Sequence, residues 1–193
     1  MKKIIFFLLG AVVFTIYGNT TENPTITSSE AKILSQDAQF TEAINMIINF
    51  SVGVVQNKKL DALNKYVENN ASESDLRVLK EEAGNSTDLS SFFQKIVYLR
   101  KSVIGKYEFM LDNEKGKLIV SEAIVDLSRK GKISKIKDLD VDCLASYAAA
   151  VAVCWWAYDQ CTMNGGSDCI GQQMACFAIV AIAAQQCLGI IPD

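Results

Sequence analysis

The sequence predicts an all-α protein, a helical bundle with a C-terminal antiparallel helical hairpin stapled by three nested disulfides. Three observations carry that prediction. Apolar residues recur at helical spacing through most of the chain. All six cysteines fall in the last quarter, spaced 11, 7, 8, 7 and 11 residues apart, the same from either end. Charge also changes abruptly at that point: residues 19–142 hold 17 Lys/Arg and 19 Asp/Glu, whereas residues 143–193 hold three aspartates and no Lys or Arg.

The N-terminus has the form of a secretory signal over residues 1–18. Lys2 and Lys3 make a positive start, Ile4 to Ile16 an apolar run of 13 residues, and Gly18 a small residue at a cleavage point. Thirteen residues are short for a membrane span. Export fits the cysteines, because disulfides persist in the periplasm or outside the cell. The expected location is therefore secreted or periplasmic.

Residues 19–138 form the expected amphipathic helical region. Asn19 to Ile26, with Pro24, suits a flexible mature N-terminus. Thr27 and Glu30 have capping-box spacing, and Ile33, Leu34, Phe40, Ala43, Ile44, Ile47 and Ile48 then hold one helical face. Phe50 to Val55 suits either a helix end or a short strand. Leu60, Leu63 and Val67 mark a short helix closed by Asn69-Asn70, and Ser72 to Ala83 another, with Gly84 past its end. The clearest stripe runs from Asp88 to Leu111 through Leu89, Phe92, Phe93, Ile96, Val97, Val103, Ile104, Tyr107 and Met110. Leu118 to Leu127 makes a fifth helix, stopped by Arg129-Lys130-Gly131. Lys132 to Asp142 is charged and weakly patterned, as a linker would be.

Residues 139–193 form the expected hairpin. Pairing Cys143 with Cys187, Cys154 with Cys176 and Cys161 with Cys169 gives residue numbers that each sum to 330. A constant sum is the register of two segments folded back about one point, here Gly165-Gly166, with Ser167 or Asp168 capping the second arm. Steps of 11 and 7 overshoot and undershoot whole helical turns by roughly 20° each, so each cysteine trio lies on one straight stripe about 27 Å long. Of about 15 possible pairings, only the nested one makes three parallel rungs between two helices. Metal ligation is a poor fit, since zinc sites use short C-x2-4-C pairs and ligands spread along that length could not meet at one ion.

Composition excludes several functions. A net charge of −3 and the lack of a basic stripe argue against nucleic acid. The chain has no histidine, which removes Ser/His and Cys/His catalysis and imidazole metal sites. Glu81-Glu82 and Asp138, Asp140 and Asp142 suit solvated faces rather than acid/base pairs. The three aspartates open like an EF-hand loop, but Cys143 stands where the turn glycine belongs and Ala149 where the bidentate Glu belongs. Gly165-Gly166 lacks the lysine of a phosphate loop. The sequons at Asn19, Asn49, Asn70 and Asn85 are compositional. No catalytic residue, metal or cofactor is expected.

Both arms are apolar on nearly every side, as helices buried in a core or in lipid are. Away from the cysteines, Ala145, Ala148, Ala152, Trp155 and Trp156 line the first arm, and Met174, Ala175, Ala178, Ala181 and Ile182 the second. Trp155, Trp156, Met174 and Ile182 are the candidate contacts to a membrane or protein partner. The arm length approaches the roughly 30 Å hydrocarbon thickness. The tryptophans lie mid-arm, however, and Gln160, Gln172, Gln173, Gln185 and Gln186 are costly in hydrocarbon. Burial in protein is the preferred state.

In its layout of signal, spacer and disulfide-rich apolar C-terminal segment, the chain resembles secreted precursors of bacteriocin-type peptides over Cys143 to Asp193. That resemblance implies a hairpin that engages membranes. Such peptides are often cationic, whereas Asp159, Asp168 and Asp193 make this segment acidic. Two function classes follow: a structural or interaction protein with a stapled core, and a bacteriocin-like or toxin-like precursor.

Overall fold

The computed structural model describes residues 28–84, 88–136, 139–163, 165 and 169–189. The signal segment, residues 19–27, Gly166 and the capping candidates Ser167 and Asp168 lie outside them. The described residues are mainly helical, with no strand.

The first expected helix is two. In α1 (Ser29–Leu34) the cap is Ser28, which accepts from the Ala31 N–H at 3.2 Å, one residue later than the Thr27 spacing suggested. The chain breaks at Ser35, and Asp37 then caps α2 (Ala38–Gln56) by accepting from Phe40 N–H at 2.8 Å. The break turns Ile33 outward, so it leaves the expected apolar face and is 49 % exposed. Phe50 to Val55 is helix, and all six residues are buried. Such a run has no solvent side because α2 is enclosed by several neighbours, and so it carries no amphipathic period.

α3 (Leu60–Val67) and α4 (Glu73–Glu82) match the reading, α4 with a reciprocal Ser72/Asp75 capping box. α5 (Leu89–Lys106) starts at the Asp88 cap but ends at Lys106, five residues before Leu111, with Tyr107 as its C-cap, followed by a 3-10 turn over Glu108–Met110. There Tyr107 stacks on Phe109 and its hydroxyl donates to Asp37 at 3.0 Å, contacts that a continued helix would not supply. Leu111 lies outside the core, 70 % exposed. α6 (Asn113–Arg129) begins earlier than Leu118 because the Asp112 carboxylate caps it, accepting from Glu114 and Lys115 N–H. Leu118, at 56 % exposure, is a surface residue.

The stretch expected to be a linker is partly anchored. Gly131, at φ +68°, reverses the chain after α6, and Ile133 and Ile136 are then buried around a 3-10 turn at Ser134–Ile136. Two isoleucines three residues apart are enough to pin it, against a charged background that hid them.

α7 (Val141–Met163) and α8 (Cys169–Leu188) form the hairpin. Asp140, from the acidic triplet, caps α7 by accepting from Cys143 N–H at 2.9 Å. Gly165 sits between the arms at φ +69°, a conformation that costs a side-chain-bearing residue about 1–2 kcal/mol. One arm packs under α6 and the other against α2, while α5 and α1 flank these covers. One apolar core runs from Ala31 to Ala184, with the hairpin at its centre.

Candidate functional site: the disulfide ladder and its apolar sheath

Three rungs join α7 to α8: Cys143–Cys187, Cys154–Cys176 and Cys161–Cys169. Their Cα separations are 5.4, 5.5 and 5.4 Å. Near-equal separations at three heights mean that the arms neither splay nor cross along the ladder. This is the geometry expected of cysteine trios on straight stripes. The four cysteines of the inner and middle rungs are buried, and both ends of the outer rung are half-buried. Three intramolecular disulfides point to an oxidising, extracellular-type environment.

The sheath around the ladder is built from side chains of both regions. Trp155 and Trp156 are 1 % and 2 % exposed, and Met174 is 8 % exposed. In the folded chain these three therefore meet its own helices. Ile182, at 37 %, is the candidate contact residue left at the surface. Trp155 meets Phe40 of α2 with ring centroids 5.3 Å apart, and Phe177 of α8 stacks on Phe93 of α5 at 5.4 Å. Phe93 in turn meets Phe50 and Phe92 edge-on, linking the second arm to α2 and α5.

Two residues that sequence reasoning passed over position the first arm. At Gly116 of α6, a Cβ would sit 2.6 Å from Trp156 Cζ2, so only glycine lets the indole lie against the α6 backbone. Gly116 continues the buried series Val120, Ala123 and Leu127 at steps of four, three and four, which was the available signal. Arg100 of α5 is wholly buried, and its Nη1 donates to the Trp155 carbonyl at 3.0 Å. It too keeps register with the apolar stripe, between Ile96 and Val103. Tying a buried guanidinium to a main-chain oxygen fixes α5 against α7.

The remaining interior polar groups do not assemble chemistry. Burial pushes the Tyr147 phenol well above its ordinary value, against a smaller opposing pull from Ser51, so it stays neutral. Ser51 Oγ donates to Ile47 O at 2.7 Å. Trp155 Nε1 and Gln173 Oε1 are buried with no hydrogen-bond partner. Among the described residues no three His, Cys, Asp or Glu side chains gather as metal ligands. α7 is long and apolar enough over Val141–Thr162 to cross a membrane by length and composition, yet more than half of its most apolar part is buried inside the protein.

Comparison with protein-family models, with curated proteins and with solved structures finds no match to this chain.

Proposed function

We infer that this chain is an exported, non-enzymatic structural or interaction protein, whose laddered hairpin is the apolar core around which the upstream helices wrap. The observation that carries this reading is the burial of Trp155 and Trp156 within a core shared by both regions. A helix apolar all round needs such a sheath in water. The signal-like residues 1–18 and the ladder together support export to an oxidising compartment. A partner then meets the outer surface of the upstream helices or the neutral strip around Ile182.

The test is dye release from lipid vesicles by the full-length, oxidised protein. No release at low micromolar concentration, on neutral or anionic vesicles, is expected. Leakage by the intact chain would overturn the core reading.

A second reading is favoured by the span-like length of α7 and by the layout that resembles bacteriocin-type precursors. In it, residues 19–138 are an inhibitory cover and the hairpin is a membrane-engaging peptide. Residues 139–193 with their disulfides formed would then leak vesicles while the full-length chain stays silent. Since the segment is acidic, leakage should be similar on neutral and anionic lipid. Aggregation or apolar-dye binding without leakage would leave the core reading in place.

A further inference from the structure

The hairpin lacks Lys and Arg even where water would accept them. Ser146, Gln160, Thr162, Gln172 and Gln186 are exposed on α7 and α8. Equivalent exposed positions upstream carry Lys95, Lys101, Lys106 and Lys115. Burial therefore does not account for the depletion. The last basic residue of the chain is Lys137.

Just before the hairpin the opposite holds. Arg129, Lys130, Gly131 and Lys132 are four consecutive exposed residues at the end of α6. Three main-chain hydrogen bonds fold the segment onto the helix: Lys130 N–H to Asp126 O at 3.0 Å, and Gly131 N–H to Ser128 O and Lys132 N–H to Leu127 O, each 2.9 Å. Opening them costs little, because exposed helix ends fray. Cutting after Lys130 leaves buried Ile133 in place, cutting after Lys132 requires Ile133 to lift, and buried Ile136 stops the opening from spreading further. The other adjacent basic pairs among the described residues are less accessible. Lys130 is paired with Asp126 yet keeps 41 % of its side chain exposed, whereas Lys59 of Lys58-Lys59, held between Glu81 and Glu82, keeps 19 %, and Arg100 of Arg100-Lys101 is wholly buried.

We propose that Arg129–Lys132 is a processing site for an endoprotease specific for basic residues, and that the hairpin is the product such an enzyme cannot cut. Water is the co-reactant: the C–N bond after Arg129, Lys130 or Lys132 breaks, the upstream piece gains a carboxylate and the downstream piece an α-amine. The ladder holds the downstream piece together, and the shared apolar core holds the two pieces to each other. Cleavage thus turns a permanent cover into a dissociable one. This holds whichever functional reading is correct.

The experiment treats full-length, oxidised protein with limiting trypsin and follows intact mass and N-terminal sequence without reduction. The first product should begin at Lys130, Gly131 or Ile133, co-elute with the upstream piece in size exclusion, and part from it only in denaturant. Arg129→Gln with Lys132→Gln, which spares the Lys130–Asp126 pair, should slow cutting after Lys132. Adding Lys130→Gln should slow product formation at least tenfold. Melting temperatures of both variants show whether lost folding explains any change. Protein recovered from its native source should carry the same new N-terminus. A first cut elsewhere with Arg129–Lys132 intact, unchanged cutting of the triple variant, or native protein found only as one uncut chain would overturn the proposal.

Discussion

The upstream helices and the hairpin solve the same problem, holding helices in register, by opposite means. Upstream, the devices are polar and local. Ser28, Asp37, Ser72, Asp88 and Asp112 cap every upstream helix but α3, and ion pairs such as Lys106–Asp37 at 3.0 Å cross between elements. Each apolar face then selects its own partner. In the hairpin there is little amphipathic contrast to choose a face, and three covalent rungs set register instead. A helix that is apolar on all sides gains burial from any rotation about its axis, so direction must come from elsewhere. Cysteines on one stripe supply it.

The largest test of this contrast removes the ladder. Full reduction should lower the denaturant midpoint by far more than any single substitution, since each bridge contributes roughly 2–4 kcal/mol and nested loops add incompletely. Pair by pair, Cys143→Ala with Cys187→Ala should cost the most, about 4 kcal/mol for its 44-residue separation. Cys161→Ala with Cys169→Ala, separated by 8, should cost about 2.5 kcal/mol on loop-closure grounds. An inverted order in urea melts would show that packing at each rung outweighs chain entropy.

Next in size is the seam between the regions. Trp156→Ala should cost about 3–5 kcal/mol, as a fully buried aromatic does. Gly116→Ala approaches the same contact from α6. Overpacking against the indole, about 1–3 kcal/mol, exceeds the gain in helix propensity of about 1 kcal/mol, leaving a modest net loss. Trp156→Phe should relieve that loss. A double-mutant cycle without coupling between the two positions would show that α6 does not seat the indole.

Acid should then separate the two regions. Burial alone would raise the Asp37 carboxyl, but hydrogen bonds from Phe40 N–H, Lys106 and Tyr107 outweigh it and hold the group below the usual carboxylate range. At Asp126 burial is likewise outweighed, by hydrogen bonds from Lys130 and Ser35 and the charges of Lys130 and Lys32. A carboxylate with a depressed folded value contributes stability that is full above its unfolded value of about 3.9 and is lost as pH falls through the folded value. Thermal stability should therefore hold from pH 7 to 5 and fall below about pH 4, with Asp37→Asn flattening the fall. The rungs do not titrate, so exchange protection near them should outlast that of α1 and the start of α2.

The smallest effect belongs to surface pairs. Lys95 and Glu42 are 2.7 Å apart but about half exposed, so Lys95→Ala should change stability by no more than about 1 kcal/mol and less in high salt.

Sequence alone determined the hairpin, its connectivity and two of the helix caps, because each rests on local geometry: a fixed rotation per residue, or a side chain reaching an amide two or three positions on. Ser72 and Asp88 could be read as helix starts for that reason. Tertiary structure decided what local spacing cannot encode. Whether Phe50–Val55 would be helix depended on α2 being enclosed on several sides. Arg100 and Gly116 keep register with apolar stripes, but spacing did not show what they meet there until the Trp155 carbonyl and the Trp156 ring gave each its partner. Ile33 and Leu118 went to the surface because a stripe specifies which residues can be buried, while the fit of neighbouring helices determines which of them are.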